Sequence, residues 1–433
     1  MDTKIKTPLL PFILITSLFL MWGLANNMTD TLLAAFKRIL SMTDFQTSWI
    51  QIAFYGSYFC LALPAAMLIK KFSYKTGVLS GLGLFIVGAL LFYPASTSMS
   101  YPFFLIALFI LAGGLSILET SANPYIIAMG PEETGTRRLN LAQSFNPVGS
   151  ILGVFLSKVF ILSQLNEASA EARAAMNPEE LSSIQTQEFS AVMVPYVGVA
   201  VFLLALWVLI AAVKMPRYSD TNEPLNIGPA FKRLSKNSKY VWGVVAQFFY
   251  VGAQIGVWSY SIRYVMEELN VNESEAANYY MAALVLFAVS RFICTALMKL
   301  ISPEILLICL AALAIVCTNV VIFSGGIIGV YALIGISGCM SLMFPTIYGL
   351  AVDGLGKDTK IGGSGLIMAI LGGAVLTSVQ GQISDLTGNV KISFAVPLIC
   401  FLVVTIFGII IYRKKKILSD NIEMHAAPIV EKV

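Results

Sequence analysis

The chain has 433 residues, 57% of them hydrophobic and only 12% charged, with a mean hydropathy of +0.80. A soluble domain carries about 25% charged residues, so this composition excludes a water-soluble globular protein. The formal net charge of +4 leaves no nucleic-acid footprint, because the basic residues fall in short segments between apolar runs.

Apolar runs of 18 residues or more recur from end to end, the signature of membrane-crossing helices. The first begins at Leu9, behind Lys4 and Lys6, in the manner of a secretory leader. It passes into Asn26, Asn27 and Asp30 without a small-x-small cleavage site, and is therefore a retained first span. Twelve spans are predicted. In the first half they cover about residues 9–36, 46–69, 76–95, 102–129, 138–163 and 190–213. In the second they cover about residues 240–267, 275–299, 304–323, 328–351, 361–386 and 392–412. Two polar stretches interrupt them. Residues 164–189 are rich in Glu, Ala and Ser, and residues 214–239 carry Lys214, Arg217, Lys232, Arg233, Lys236 and Lys239. The expected architecture is an all-α membrane protein with a six-helix bundle over 1–213, a linker over 214–239, and a second bundle over 240–433 with a short basic tail.

Orientation follows from the basic residues. With the N-terminus inside, the cytoplasmic side collects Lys4, Lys6, Lys70, Lys71, Lys75, Arg137, Arg138, the six linker residues, Lys299, Lys357, Lys360, Arg413 to Lys416 and Lys432. The opposite side keeps Lys37, Arg38, Lys158, Arg173, Arg263 and Lys391. Both termini are therefore expected in the cytoplasm, and residues 164–189 outside. The basic loop from Lys70 to Gly77 is expected to serve topology and conformational change.

Two acids stand inside these spans. A charged side chain at the bilayer centre costs about 2.5–3.5 kcal/mol on insertion scales, so an intramembrane acid marks a functional site by default. Glu119 lies in Ser116-Ile-Leu-Glu119-Thr-Ser-Ala-Asn123-Pro124. It is either a carboxyl that loads and releases a proton, or a structural acid bonded to a neighbouring helix. Asp30 closes the stretch from Trp22 through Asn26 and Asn27; the alternative for it is an interfacial acid near the outer surface. Amides and acids that bind hydroxyls, with an aromatic face such as Trp22, are the components of a polyol site.

Further along, Gln143 and Asn146 are three apart and are expected on one helix face, either lining the cavity or bonding helices together. Pro124 and Pro345 each break a backbone ladder inside a span, which exposes carbonyls. In the second half Gln247 and Gln254, seven apart on one face, join Trp258, Tyr260 and Asn278, with Arg263 and Arg291 as weaker candidates. Six cysteines, at 60, 294, 309, 317, 339 and 400, lack paired spacing and read as small core residues, and the single His425 excludes a His-based metal centre. No G-x-x-x-x-G-K-[ST] loop occurs. The chain is thus expected to be a transporter and no enzyme, without a cofactor, drawing its energy from an ion gradient.

The halves repeat faintly. Pro131-Glu-Glu-Thr-Gly-Thr-Arg137 precedes the fifth span and Gly354-Leu-Gly-Lys-Asp-Thr-Lys360 the eleventh, each followed by a Gly- and Ser-bearing helix. Parallel six-helix repeats around a midplane site are the pattern of the major facilitator fold. The stretches Trp22 to Asp30, Leu118-Glu119-Thr120 with Asn123-Pro124, Gly130-Pro131-Glu132 and Arg138 to Asn146 carry a more specific likeness. So do Ala246 to Gln254, Trp258-Ser-Tyr260, Ile262-Arg-Tyr264, Ala276 to Tyr279 and Pro345-Thr-Ile347. Through them the chain resembles the fucose–galactose–proton symporter family of the major facilitator superfamily.

That resemblance implies a bacterial inner-membrane carrier, working as a monomer, that takes up a monosaccharide with a proton, L-fucose first. It makes Asp30 and Glu119 the two proton-coupling acids and lines the cavity with Asn27, Gln143 and Asn146. The alternatives are a D-glucose or D-galactose symporter, a sugar sensor that does not transport, and a drug–proton antiporter. The short tail after Tyr412 speaks against a sensor, and the amides speak against a drug cavity. Two departures from the family pattern, Pro147 after Asn146 and Gly256-Val257 before Trp258, bear on which sugar fits.

Overall fold

The computed structural model describes residues 7–39, 44–98, 100–160, 173, 176–216 and 227–426. Among these the chain is helical throughout, with no strand, and eleven stretches are long and apolar enough to cross a bilayer. The first four spans are α1 (Leu9–Ile39), α2 (Asp44–Lys71), α3 (Tyr74–Thr97) and α4 (Tyr101–Ala128).

The fifth expected span is in two pieces, α5 (Gly135–Gln143) and α6 (Phe145–Phe160). Pro147 explains the break: it has no N–H for the carbonyl four residues back, that of Gln143. The sixth span, α7 (Pro178–Ala212), begins well before the boundary expected from hydropathy. Its start is set by chemistry that hydropathy ignores. The Asn177 side chain accepts from Glu180 N, Pro178 occupies the first turn, and Glu179 and Glu180 supply negative charge there. Residues 178–189 are helix, where the sequence indicated an irregular polar stretch. Arg173 lies against this extension in a buried, two-pronged ion pair with Glu188, Nη1 to Oε2 at 2.8 Å. That hydrogen bond holds the guanidinium above its ordinary range.

The second half runs α8 (Ile227–Lys236), α9 (Ser238–Leu269), α10 (Glu273–Leu297) and α11 (Pro303–Phe323). The tenth span is α12 (Gly326–Met340) and α13 (Met343–Val352), and the eleventh is α14 (Thr359–Met368) and α15 (Gly372–Thr387). A short α16 (Val390–Ser393) leads into α17 (Ala395–Ala426). The sequence repeat has a structural counterpart. Glu132–Thr134 and Gly356–Asp358 each form one 3₁₀ turn that feeds directly into α5 and α14.

Two compact units result, Met1–Lys232 with Val352–Val375, and Arg233–Ala351 with Leu376–Val433. In the first, α3 packs along α4 and α1 along α6. The α1–α6 seam allows no side chain at its centre: a Cβ on Gly149 would stand 1.8 Å from the Leu20 carbonyl oxygen. Such close backbone approach is how helices associate where lipid removes the hydrophobic drive. Lys75, in the loop expected to act on topology, caps the end of α7 by donating to Ala211 O and Val213 O at 2.7 and 2.8 Å. Arg138 serves the end of α4 in the same way through Ile126 O, Ile127 O and Pro131 O.

In the second unit α11 and α9 pack on α17, and α12 on α11. The Glu268 carboxylate joins the starts of α12 and α16, pairing with Lys391 at 2.9 Å and accepting from Gly326 N at 2.6 Å. Gly325 and Gly326 take φ of +63° and +54°, which favours glycine at both. Of the six cysteines, Cys60 and Cys309 are exposed instead of packed in the core. Apolar residues can face lipid as well as protein, so composition alone does not separate the two.

Candidate functional site

Glu119 sits in mid-α4 at 1% exposure. Its Oε1 accepts a 3.1 Å hydrogen bond from Tyr58 O–H on α2, while Oε2 is buried without a partner among the described residues. The Tyr58 hydroxyl, from α2, thus serves one oxygen of the acid. Ser116, one turn earlier on α4, donates to Tyr58 O at 3.0 Å and fixes where α2 crosses. Tyr58 was not among the residues singled out from sequence. Phe54-Tyr55-Gly-Ser-Tyr58-Phe59 reads as an aromatic lipid-facing or core stretch, with no polarity to mark which ring meets an acid.

One turn beyond Glu119, Asn123 is fully buried. Its Oδ1 accepts from Gln143 Nε2 at 2.8 Å, and its Nδ2 has no partner among the described residues. Glu119 and Asn123 therefore leave one carboxylate oxygen and one amide nitrogen on the same face of α4 that no described residue serves. Leaving such groups buried and unpaired costs about 1–3 kcal/mol each, which a ligand or water would offset.

Gln143 and Asn146 do not share a face. Gln143 ends α5 and turns to Asn123; Asn146 opens α6, and its Nδ2 donates to Phe19 O on α1 at 3.3 Å. The break before Pro147 rotates the second amide away from the first. Asn27 is half-buried and donates to Gly23 O of its own helix at 3.1 Å. Trp22 is half-buried, with its ring 6.1 Å from Phe19 and bordering a narrow apolar pocket with Leu82, Phe85 and Leu115. Asp30 falls within α1, but its side chain lies outside the described ones.

In the second unit Gln247 is fully buried, with both amide atoms lacking a partner among the described residues. Gln254, seven residues on, is only half-buried. Trp258 is half-buried, donates to Ser337 Oγ at 3.3 Å and meets the Phe287 ring edge-on at 5.0 Å. Tyr260 places its hydroxyl over Gly381, where a Cβ would stand 2.5 Å away. Asn278 is exposed near the start of α10. Arg263 pairs with Glu267 on the surface of α9, whereas Arg291 is buried. Among the described residues no cluster of His, Cys, Asp or Glu could hold a metal.

The Major Facilitator Superfamily sequence model matches residues 13–374 of this chain. The L-fucose-proton symporter of Haemophilus influenzae is 41% identical over 433 residues, covering 97% of this chain and all of that protein. A glucose/galactose transporter of Brucella abortus is 32% identical over 403 residues, or 92% of each chain. The crystal structure of the transporter FucP in the outward conformation superposes with a TM-score of 0.89 at 39% identity, covering 94% of this chain and 99% of that one.

Proposed function

The chain belongs to the Major Facilitator Superfamily, and we propose that it is a proton-coupled symporter that takes up a monosaccharide, L-fucose before D-glucose or D-galactose. The observation that carries this reading is the Glu119 carboxyl. One oxygen is held by Tyr58 and the other is buried without a partner among the described residues, one turn from the Asn123–Gln143 amide pair. Oε2 is the atom that takes and gives the proton. Nδ2 of Asn123 is the donor for a sugar hydroxyl, so proton and sugar meet on adjacent turns of one helix.

Asp30 is the second acid, and Asn27 and Asn146 add amides for sugar hydroxyls. Gln247, Gln254, Trp258, Tyr260 and Asn278 supply the sugar contacts of the second unit, Trp258 through its ring face. The chain works as two six-helix bundles, over 1–213 and 240–433. Both termini face the cytoplasm of a bacterial inner membrane, and the monomer is the working unit, without a cofactor. Each proton moved across 100 mV contributes about 2.3 kcal/mol, which supports accumulation of tens of fold.

The preference for L-fucose is supported by the higher identity to the H. influenzae symporter than to the B. abortus transporter. Uptake of labelled L-fucose by cells carrying the chain, with unlabelled fucose, galactose, glucose and arabinose as competitors, tests it. Fucose should compete best. Strong competition by glucose with none by fucose would move the chain to the other sugar.

A further inference from the structure

The tenth span is broken where Pro345 stands. Proline has no N–H, so the carbonyl four residues earlier, Ser341 O, loses its helical partner. The chain leaves the helix after Met340 and re-enters it at Met343, and the ladder resumes with Thr346 N on Leu342 O at 3.1 Å. The carbonyls at the break are served by side chains from two other helices. Arg291 Nε, from α10, donates to Ser341 O, and Tyr250 O–H, from α9, donates to Met340 O at 3.0 Å.

Arg291 is built into this position. It is 3% exposed, its guanidinium lies over the Phe287 ring at 4.6 Å, and Thr295 donates to its carbonyl from one turn on. Phe287 in turn meets the Trp258 indole, whose N–H is bonded to Ser337, one turn before the break. The segment from Ser337 to Ser341 is thus held at both ends, by Trp258 on one side and by Arg291 on the other.

We propose that Arg291 is a positioning residue which supplies the donor that Pro345 withholds, fixing the bend of the tenth span and, through Phe287, the ring of Trp258. Only the step from Trp258 to sugar rests on the functional reading above; the clamp on Ser341 does not. Arginine suits the task, because its fork of N–H groups stays charged and donates in a fixed direction even when buried.

The test is a double-variant cycle. Arg291→Met removes the donor and keeps the length; Pro345→Ala returns a backbone N–H to Ser341 O. Arg291→Met should lower the uptake rate at low sugar concentration by about 10- to 100-fold, the range for a hydrogen bond to a charged group, and raise the apparent KM as the Trp258 ring loses its support. Arg291→Met with Pro345→Ala should recover at least about tenfold of that loss. Thermal unfolding of the purified variants, which needs no sugar, should show the same rescue, with the double variant melting above Arg291→Met. If Arg291→Met does not accumulate in the membrane, restoration of its amount by Pro345→Ala supports the clamp equally. A double variant no better than Arg291→Met in uptake, melting and amount overturns the proposal. So does wild-type uptake by Arg291→Met alone. Rescue in melting together with an unexpected sugar preference would leave the clamp standing and the substrate reading wrong.

Discussion

Both units carry a proline in the middle of a span and treat it differently. In the first, α4 runs unbroken through Pro124, and the turns just before it hold Glu119 and Asn123, each with one polar atom that no described protein group serves. In the second, the helix gives way at Pro345, and the carbonyls at the break are taken by Tyr250 and by a buried guanidinium. The ionisable group of the first unit thus keeps one oxygen that no described residue serves. The second commits its charged group to its own backbone. A buried ionisable residue is therefore a poor guide to function until its partners are known: Glu119 and Arg291 are both buried, yet of the two only Glu119 has a side-chain atom that no described residue serves.

The contrast breaks first at Glu119. Glutamine mimics the protonated acid but cannot release a proton, so Glu119→Gln should abolish sugar accumulation, by roughly a hundredfold or more, while sugar-for-sugar exchange across vesicles continues. Loss of exchange as well would make Glu119 a structural acid. Tyr58→Phe comes next. It removes the hydrogen bond to Oε1 with little change in shape, and should slow proton-coupled uptake about tenfold and displace its pH profile; an unmoved profile would detach Tyr58 from proton transfer.

The smallest effect concerns the second unit, where Gln247 keeps an amide that serves no described protein group. Replacing an unsatisfied buried amide by an apolar side chain of similar shape removes a penalty of about 1–3 kcal/mol. Gln247→Leu should therefore melt at a higher temperature while its apparent KM for sugar rises several-fold. A gain in one property against a loss in the other is the mark of a residue kept for ligand binding. A lower melting temperature would show that the amide is structural.

Much of the fold was legible in the sequence, because a span needs some eighteen apolar residues and little else imitates that. The acid and the amide of α4 were legible for the same reason, as polar residues where none is cheap. The start of α7 was written in Asn177-Pro178-Glu179-Glu180, but hydropathy does not read caps. Tyr58 was not legible, since a tyrosine in an aromatic run carries no sign of what its hydroxyl meets. Nor was the divergence of Gln143 and Asn146, although Pro147 was the residue that caused it. The clamp lay deepest: Pro345 announced a free carbonyl, but Arg291 is 50 residues from Ser341, and only the folded chain brings donor and acceptor together. The grouping of residues 352–375 with the first unit depends on such distant contacts too.

A pH electrode in a lightly buffered, oxygen-free suspension of cells carrying the chain reads the coupling most directly. A pulse of L-fucose should make the medium more alkaline at once, and a protonophore should erase both that signal and the accumulation of labelled sugar. Accumulation that survives collapse of the pH gradient and the membrane voltage together would contradict proton-driven uptake through Glu119.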